Sequence, residues 1–151
     1  MALETEIHQQ NFTSESQKAI INIIFTYHWV TDRVKAALLP EDITLQQFNI
    51  LRILRGSDPA PLSTLKIRER MLDKMSDTSR IVDRLLLKGL VLKKTSSSDK
   101  RLVEVSITIE GKKMLDRLDK KVKDTEKMFS NLSKVDLKKL NELLDGIRNQ
   151  G

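Results

Sequence analysis

The 151-residue chain contains no cysteine, which excludes disulfides, thiol-based redox sensing, thiolate-held zinc and iron–sulfur clusters. Five glycines and three prolines leave few points where the chain must turn, so a mostly helical fold is expected. Only two histidines occur, His8 and His28. They form no His-x-x-x-His metal pair and belong to no Ser/His/Asp arrangement, and no Gly-rich phosphate loop is present. Enzymatic activity, a cofactor and a bound metal are therefore not expected. No apolar run approaches the roughly 20 residues needed to cross a bilayer. Met1–Gln10 is acidic and polar, with no basic leader and apolar core, so a cytoplasmic location is expected and membrane attachment is not. His8 falls in this stretch, which has no periodic content and is expected to be disordered.

What the chain has instead is positive charge, placed unevenly. The formal net charge is +6. Residues 1–61 carry five basic and seven acidic side chains, residues 62–101 eleven and five, and residues 102–151 eleven and nine. The excess thus equals that of one forty-residue segment. A basic patch of this size suits a phosphate backbone, although charge alone describes many solvated surfaces equally well. Asp116, Asp119, Asp124 and Glu126 alternate with lysines, the pattern of a solvated helix face rather than a metal cluster.

Hydrophobic periodicity divides the chain into elements. Ser14–Leu39 reads as one long helix, capped by Ser14 or Ser16 and stopped by Pro40. Its apolar residues, from Ile20 to Val34, are too widely spread for a helix covered on one side, and the second side can belong to another subunit. Thr44–Arg55 is a second helix with a Thr44/Gln47 capping box. After the turn Gly56–Pro61 come a short helix over Ser63–Met71, a tight connection Leu72–Met75, and a helix Ser76–Lys88 closed by Gly89. Leu90–Thr95 and Leu102–Ile107 form a β-hairpin whose polar tip, Ser96–Arg101, ends in Lys100 and Arg101. Thr108 caps a helix running to about Leu132. Ser133 caps the last helix, where Leu137, Leu140, Leu144 and Ile147 make a packing seam. No repeat or long linker divides the chain, so residues 1–151 form one domain. The fold class is mainly α with a small β component (α+β).

Two helices joined by a tight turn and followed directly by a hairpin have the spacing of a winged helix-turn-helix. The capped start of Ser76–Lys88 offers free N–H groups to phosphate. Thr78, Ser79, Arg80 and Arg84 can meet base edges and backbone, and the wing tip supplies Lys100 and Arg101. The bland alternative leaves Arg80 and Arg84 as solvated residues linked to Asp77 and Asp83.

The stretch Ser76-Asp-Thr-Ser-Arg-Ile-Val-Asp-Arg-Leu-Leu-Leu-Lys-Gly-Leu-Val91 resembles the recognition helix and exit of the MarR family of bacterial winged-helix regulators. Asp99-Lys-Arg101 with Ile107-Thr-Ile-Glu-Gly111 resembles that family's wing signature and its Thr-x-x-Gly helix start. The resemblance spans nearly the whole chain, departing at Lys66-Ile-Arg-Glu-Arg-Met71, where the family usually has Glu-Leu-Ala. It implies a homodimer held by helices over 14–39 and 108–149, a winged DNA-binding region over 44–107, and a regulator of transcription, most often a repressor released by a ligand. It further implies that Ser76–Lys88 enters the major groove and that Arg101, braced by Asp99, reaches the minor groove. The expected DNA-contacting set is Ser76, Thr78, Ser79, Arg80, Arg84, Lys88, Asp99, Lys100 and Arg101 on double-stranded DNA. A small aromatic or phenolic effector is expected between the dimerisation helices and the winged module, near Tyr27, His28, Trp29, Phe48 and Arg52, with Lys35 a further source of positive charge. The alternative function is a winged-helix module for protein assembly.

Overall fold

The computed structural model describes residues 2–149; Met1, Gln150 and Gly151 of the expected 1–151 domain lie outside them. Helix α1 is a single turn, Leu3–Glu6. It corrects the expectation of a disordered start: Leu3 is buried and Glu4 forms an ion pair with Lys18. Helix α2 spans Glu15–Leu38, and the Ser14 hydroxyl accepts the Gln17 N–H as its cap. The α-helix stops at Leu38, ahead of Pro40 as expected, and a 3-10 turn over Leu39–Glu41 takes up the proline. Helix α3, Leu45–Ser57, opens with the Thr44/Gln47 capping box.

Strand β1, Leu62–Ser63, departs from expectation, because two residues carry no alternation and the segment reads as the start of a helix. It pairs antiparallel with β3, Val103–Ile107, placing Leu62 opposite Val105. Strand β2, Val91–Thr95, pairs on the other edge of β3 from Val91↔Ile107 to Thr95↔Val103, so the sheet order is β1-β3-β2. Between β1 and β2 lie α4, Thr64–Arg70, and α5, Thr78–Leu87. Helix α6 spans Ile109–Thr125 and gives way to a 3-10 turn at Glu126–Phe129, well short of the expected Leu132. Helix α7, Lys134–Arg148, starts at Ser133, whose capping box is completed by Asp136. The whole is mainly helical with one small antiparallel sheet, a winged helix-turn-helix flanked by long helices.

One core joins these elements. Leu38, Ile50, Leu51, Leu54, Ile67, Leu85, Val105, Leu115 and Leu118 are almost wholly covered. Each such side chain contributes about 1.5–3 kcal/mol on burial. Ion pairs also tie α6 to the elements before it: Arg55 with Asp119 at 2.6 Å and with Asp116 at 3.9 Å, Lys112–Asp58 at 2.6 Å and Arg117–Glu41 at 2.9 Å. Partly solvated pairs of this kind add little net stability. The apolar stripe of α6 therefore holds the helix down, and the ion pairs fix its direction.

Two helices are left uncovered. Among the described residues, none of α7 is buried, and Val135, Leu143 and Ile147 are more than half exposed. On α2 only Thr31 and Leu38 are buried, while Ile20, Ile24 and Tyr27 are exposed. No helix among the described residues is long and apolar enough to cross a membrane.

Candidate nucleic-acid interface

The link from α4 to α5 is built by side-chain acceptors on backbone N–H groups. Asn49 of α3 accepts the Leu72 N–H at 2.9 Å, and Asp73 accepts that of Met75 at 2.9 Å. The expectation that Ser76 opens the recognition helix is off by one residue. Asp77 is the cap, its carboxylate accepting the Arg80 N–H at 3.2 Å. An acidic cap suits the positive end of the helix dipole. Ser76 and Thr78 belong to the expected DNA-contacting set; both hydroxyls are buried and make no hydrogen bond among the described residues. Thr78 faces inward because it shares the core stripe of Val82 and Leu85, at helical spacings of four and three.

The exposed side of α5 carries Ser79, Arg80, Asp83, Arg84 and Leu87. Asp83 does not neutralise its arginine neighbours; its carboxylate takes Lys93 of β2 at 2.7 Å, bolting the helix to the wing. Neither Arg80 nor Arg84 has a side-chain partner among the described residues. At the other end, Gly89 has φ +71°, and the bonds Gly89 N–H to Leu86 and Leu90 N–H to Leu85 close a Schellman cap. Lys88, a member of the expected DNA-contacting set, donates to the Asp42 carbonyl and lies 3.4 Å from its carboxylate.

The wing tip is ordered by its own polar groups. Ser96 is buried, donates its N–H to Leu102 at 2.9 Å and shares a hydroxyl bond with Ser98 at 2.9 Å. Beyond it, Asp99 accepts both the backbone N–H and the Nε of Arg101. The Arg101 side chain is 91% exposed, so Asp99 holds a charge that otherwise projects into solvent. Lys100 beside it is exposed. Arg80, Arg84, Lys100 and Arg101 thus form an uncompensated or lightly compensated cationic set on two elements locked together by Asp83–Lys93.

The residues expected around an effector are not brought together. Consecutive helical residues point about 100° apart, so Tyr27, His28 and Trp29 face different ways. Tyr27 lines a cleft of about 400 Å³ with Lys35, Leu45, Asn49, Met71 and Leu72. Trp29 lines a separate hollow on the α6 side, with the Arg33 guanidinium 3.4 Å over its ring. His28 meets Tyr27 edge to face at 5.2 Å. Phe48 is a core residue, 5% exposed, and Arg52 sits 5.7 Å from its ring. Asn49 and Leu72, which the sequence did not single out, connect the Tyr27 cleft to the turn ahead of α5. Their only signal was an asparagine on α3 and a leucine outside the apolar stripe. Among the described residues no group of three or more His, Cys, Asp or Glu side chains could hold a metal ion.

The model of the MarR family matches residues 43–103, from the buried Ile43 to the second wing strand. A MarR transcription factor of Planctomyces limnophilus is 30% identical, superposes with a TM-score of 0.68, and is aligned over 89% of this chain and 98% of its own. The chain belongs to the MarR family. A cysteine-to-serine mutant of MarR from E. coli, complexed with operator DNA, is 24% identical, with a TM-score of 0.80 over 91% of this chain and 99% of that one. The HTH-type transcriptional repressor IacR of Pseudomonas putida is 24% identical over 129 residues, 80% of this chain and 76% of its own length. This MarR-type protein is a transcriptional regulator, and α4, α5 and the β2–β3 hairpin make up its winged helix-turn-helix.

Proposed function

We propose that the protein is a cytoplasmic, homodimeric repressor that binds a palindromic site in double-stranded DNA and is released by a small aromatic or phenolic effector, with no catalytic step of its own. The carrying observation is a pair of elements: α5, where Arg80 and Arg84 are exposed with no side-chain partner among the described residues, and the wing, where Asp99 holds Arg101 out into solvent. In this reading Ser79, Arg80 and Arg84 face the major groove and Lys100 and Arg101 the minor groove, with residues 44–107 as the DNA-binding region. The exposed apolar residues of α2 and α7 support dimerisation through residues 14–39 and 108–149, since exposed apolar surface beyond scattered single residues marks an interaction site. The cleft beside Tyr27 supports an effector site: it is mostly apolar, with Lys35 able to meet an anionic group. A ligand there would touch Leu72 in the turn ahead of α5. It would release DNA only to the extent that it favours a DNA-incompetent arrangement.

The test is duplex binding as a function of salt. A specific regulator predicts log K falling steeply and linearly with log salt, and a preferred sequence bound about a thousandfold or more tighter than mixed sequence. Weak, sequence-blind binding would favour the protein-assembly module.

A further inference from the structure

Glu41 and Asp42 are adjacent, and each grips a different helix. Glu41 receives Arg117 of α6 through two bonds, Nε at 2.9 Å and Nη2 at 3.1 Å. This paired geometry fixes direction as well as distance. It also holds the Glu41 carboxyl below its ordinary pKa, first through the Arg117 hydrogen bond. Asp42 has φ +51°, a left-handed conformation that aspartate tolerates better than most residues. Its carbonyl accepts the Lys88 ammonium, and Lys88 is the C-cap residue of α5. The two residues sit between Leu38, fully buried, and Ile43, 5% exposed, so both ends of the segment are anchored in the core.

We propose that Glu41–Asp42 is a strut that transmits the attitude of α6 to the C-terminal end of α5, and that Lys88 is a positioning residue for DNA reading rather than a phosphate contact. The inference rests on the reading of α5 as the DNA-contacting helix. The Asp42 carboxylate, fully exposed, adds little to the Lys88 bond. The backbone carbonyl is the acceptor that matters, and it satisfies the ammonium where a cation also favours the negative end of the α5 dipole. The strut bypasses the Tyr27 cleft, so it gives α6 a route to the reading helix separate from the turn at Leu72.

The experiment uses the full chain with E41Q, K88M and the double variant, each checked for unchanged thermal unfolding and oligomeric state. It has two arms. In DNA-free protein, E41Q is expected to raise amide hydrogen exchange across residues 84–90, although the substitution lies on another element. An effect confined to residues 38–44 would overturn the strut. With the duplex most enriched from a random-sequence pool, E41Q and K88M are each expected to weaken binding about two- to tenfold, the net worth of one hydrogen bond. The double variant is expected to be no weaker than the weaker single variant. Removing the Glu41 charge would tighten binding on simple electrostatics, so the sign for E41Q is diagnostic. The salt slope should stay at the wild-type value in K88M. A slope lowered by about 0.9 would make Lys88 a phosphate contact and overturn its positioning role. A wild-type chain that binds no duplex would sink the DNA reading, and the exchange arm would then decide the strut by itself.

Discussion

The Asp99 carboxylate accepts two hydrogen bonds from Arg101, one from its backbone N–H at 3.0 Å and one from its Nε at 3.3 Å. The first fixes the turn and the second fixes the guanidinium. An arginine so held, and 91% exposed, is suited to a narrow minor groove with its enhanced negative potential. R101A and D99A are both expected to weaken operator binding. D99A removes a negative charge, so tighter binding by D99A, measured by fluorescence anisotropy, would show that Asp99 only repels DNA.

Gly111 is expected to be intolerant of any side chain. A Cβ there would stand 2.4 Å from the Leu90 carbonyl oxygen and 2.7 Å from Ile107 Cγ1. Thr108 makes this approach necessary: its hydroxyl donates to the Gly89 carbonyl at 2.8 Å and accepts the Gly111 N–H at 3.0 Å, pulling the start of α6 onto the end of α5. Because the clash is with backbone, G111A should destabilise by at least the roughly 1–3 kcal/mol of an overpacked core. Denaturant unfolding checks this; an unchanged midpoint would mean the junction is loose.

These two sites show what local sequence carries. The caps at Ser14, Thr44, Thr108 and Ser133 and the Gly89 exit are readable because each uses side-chain chemistry within a few residues. So is the hairpin, with Val105 and Ile107 alternating inward. Strand β1 is not readable, since it is two residues long and exists only because Val105 lies opposite Leu62. The end of α6 at Thr125 has no glycine or proline to mark it. The surroundings of Lys88, Thr78 and Phe48 are hidden from local sequence for a common reason. A charged, hydroxyl or aromatic residue looks available until the fold supplies Asp42 for the first and the core for the other two.

Dimerisation should depend on α7. Its apolar residues Leu140, Leu143 and Ile147 stand 37%, 57% and 52% exposed. Wild-type protein is expected to sediment as a dimer at micromolar concentration, and L143E to shift toward monomer while keeping its helical content. Wild-type monomer at that concentration would refute the interface.

Lys35 is expected to set effector affinity. Titration with a phenolic carboxylate should release bound DNA, and K35A should weaken that response about tenfold or more while sparing DNA binding, as loss of a hydrogen bond to a charged group requires. A response abolished by W29F and untouched by K35A would place the ligand in the Trp29 hollow instead.

The central claim is tested most directly by selecting bound duplexes from a random-sequence pool with wild-type protein and with R80A. Wild type should enrich a twofold-symmetric site whose half-sites lie one helical turn apart, about 34 Å, or a multiple of it. R80A should lose about 1–3 kcal/mol of base discrimination at one position of each half-site, the worth of a two-bond arginine–guanine contact. An unenriched pool, or an R80A selection identical to wild type, would contradict the account.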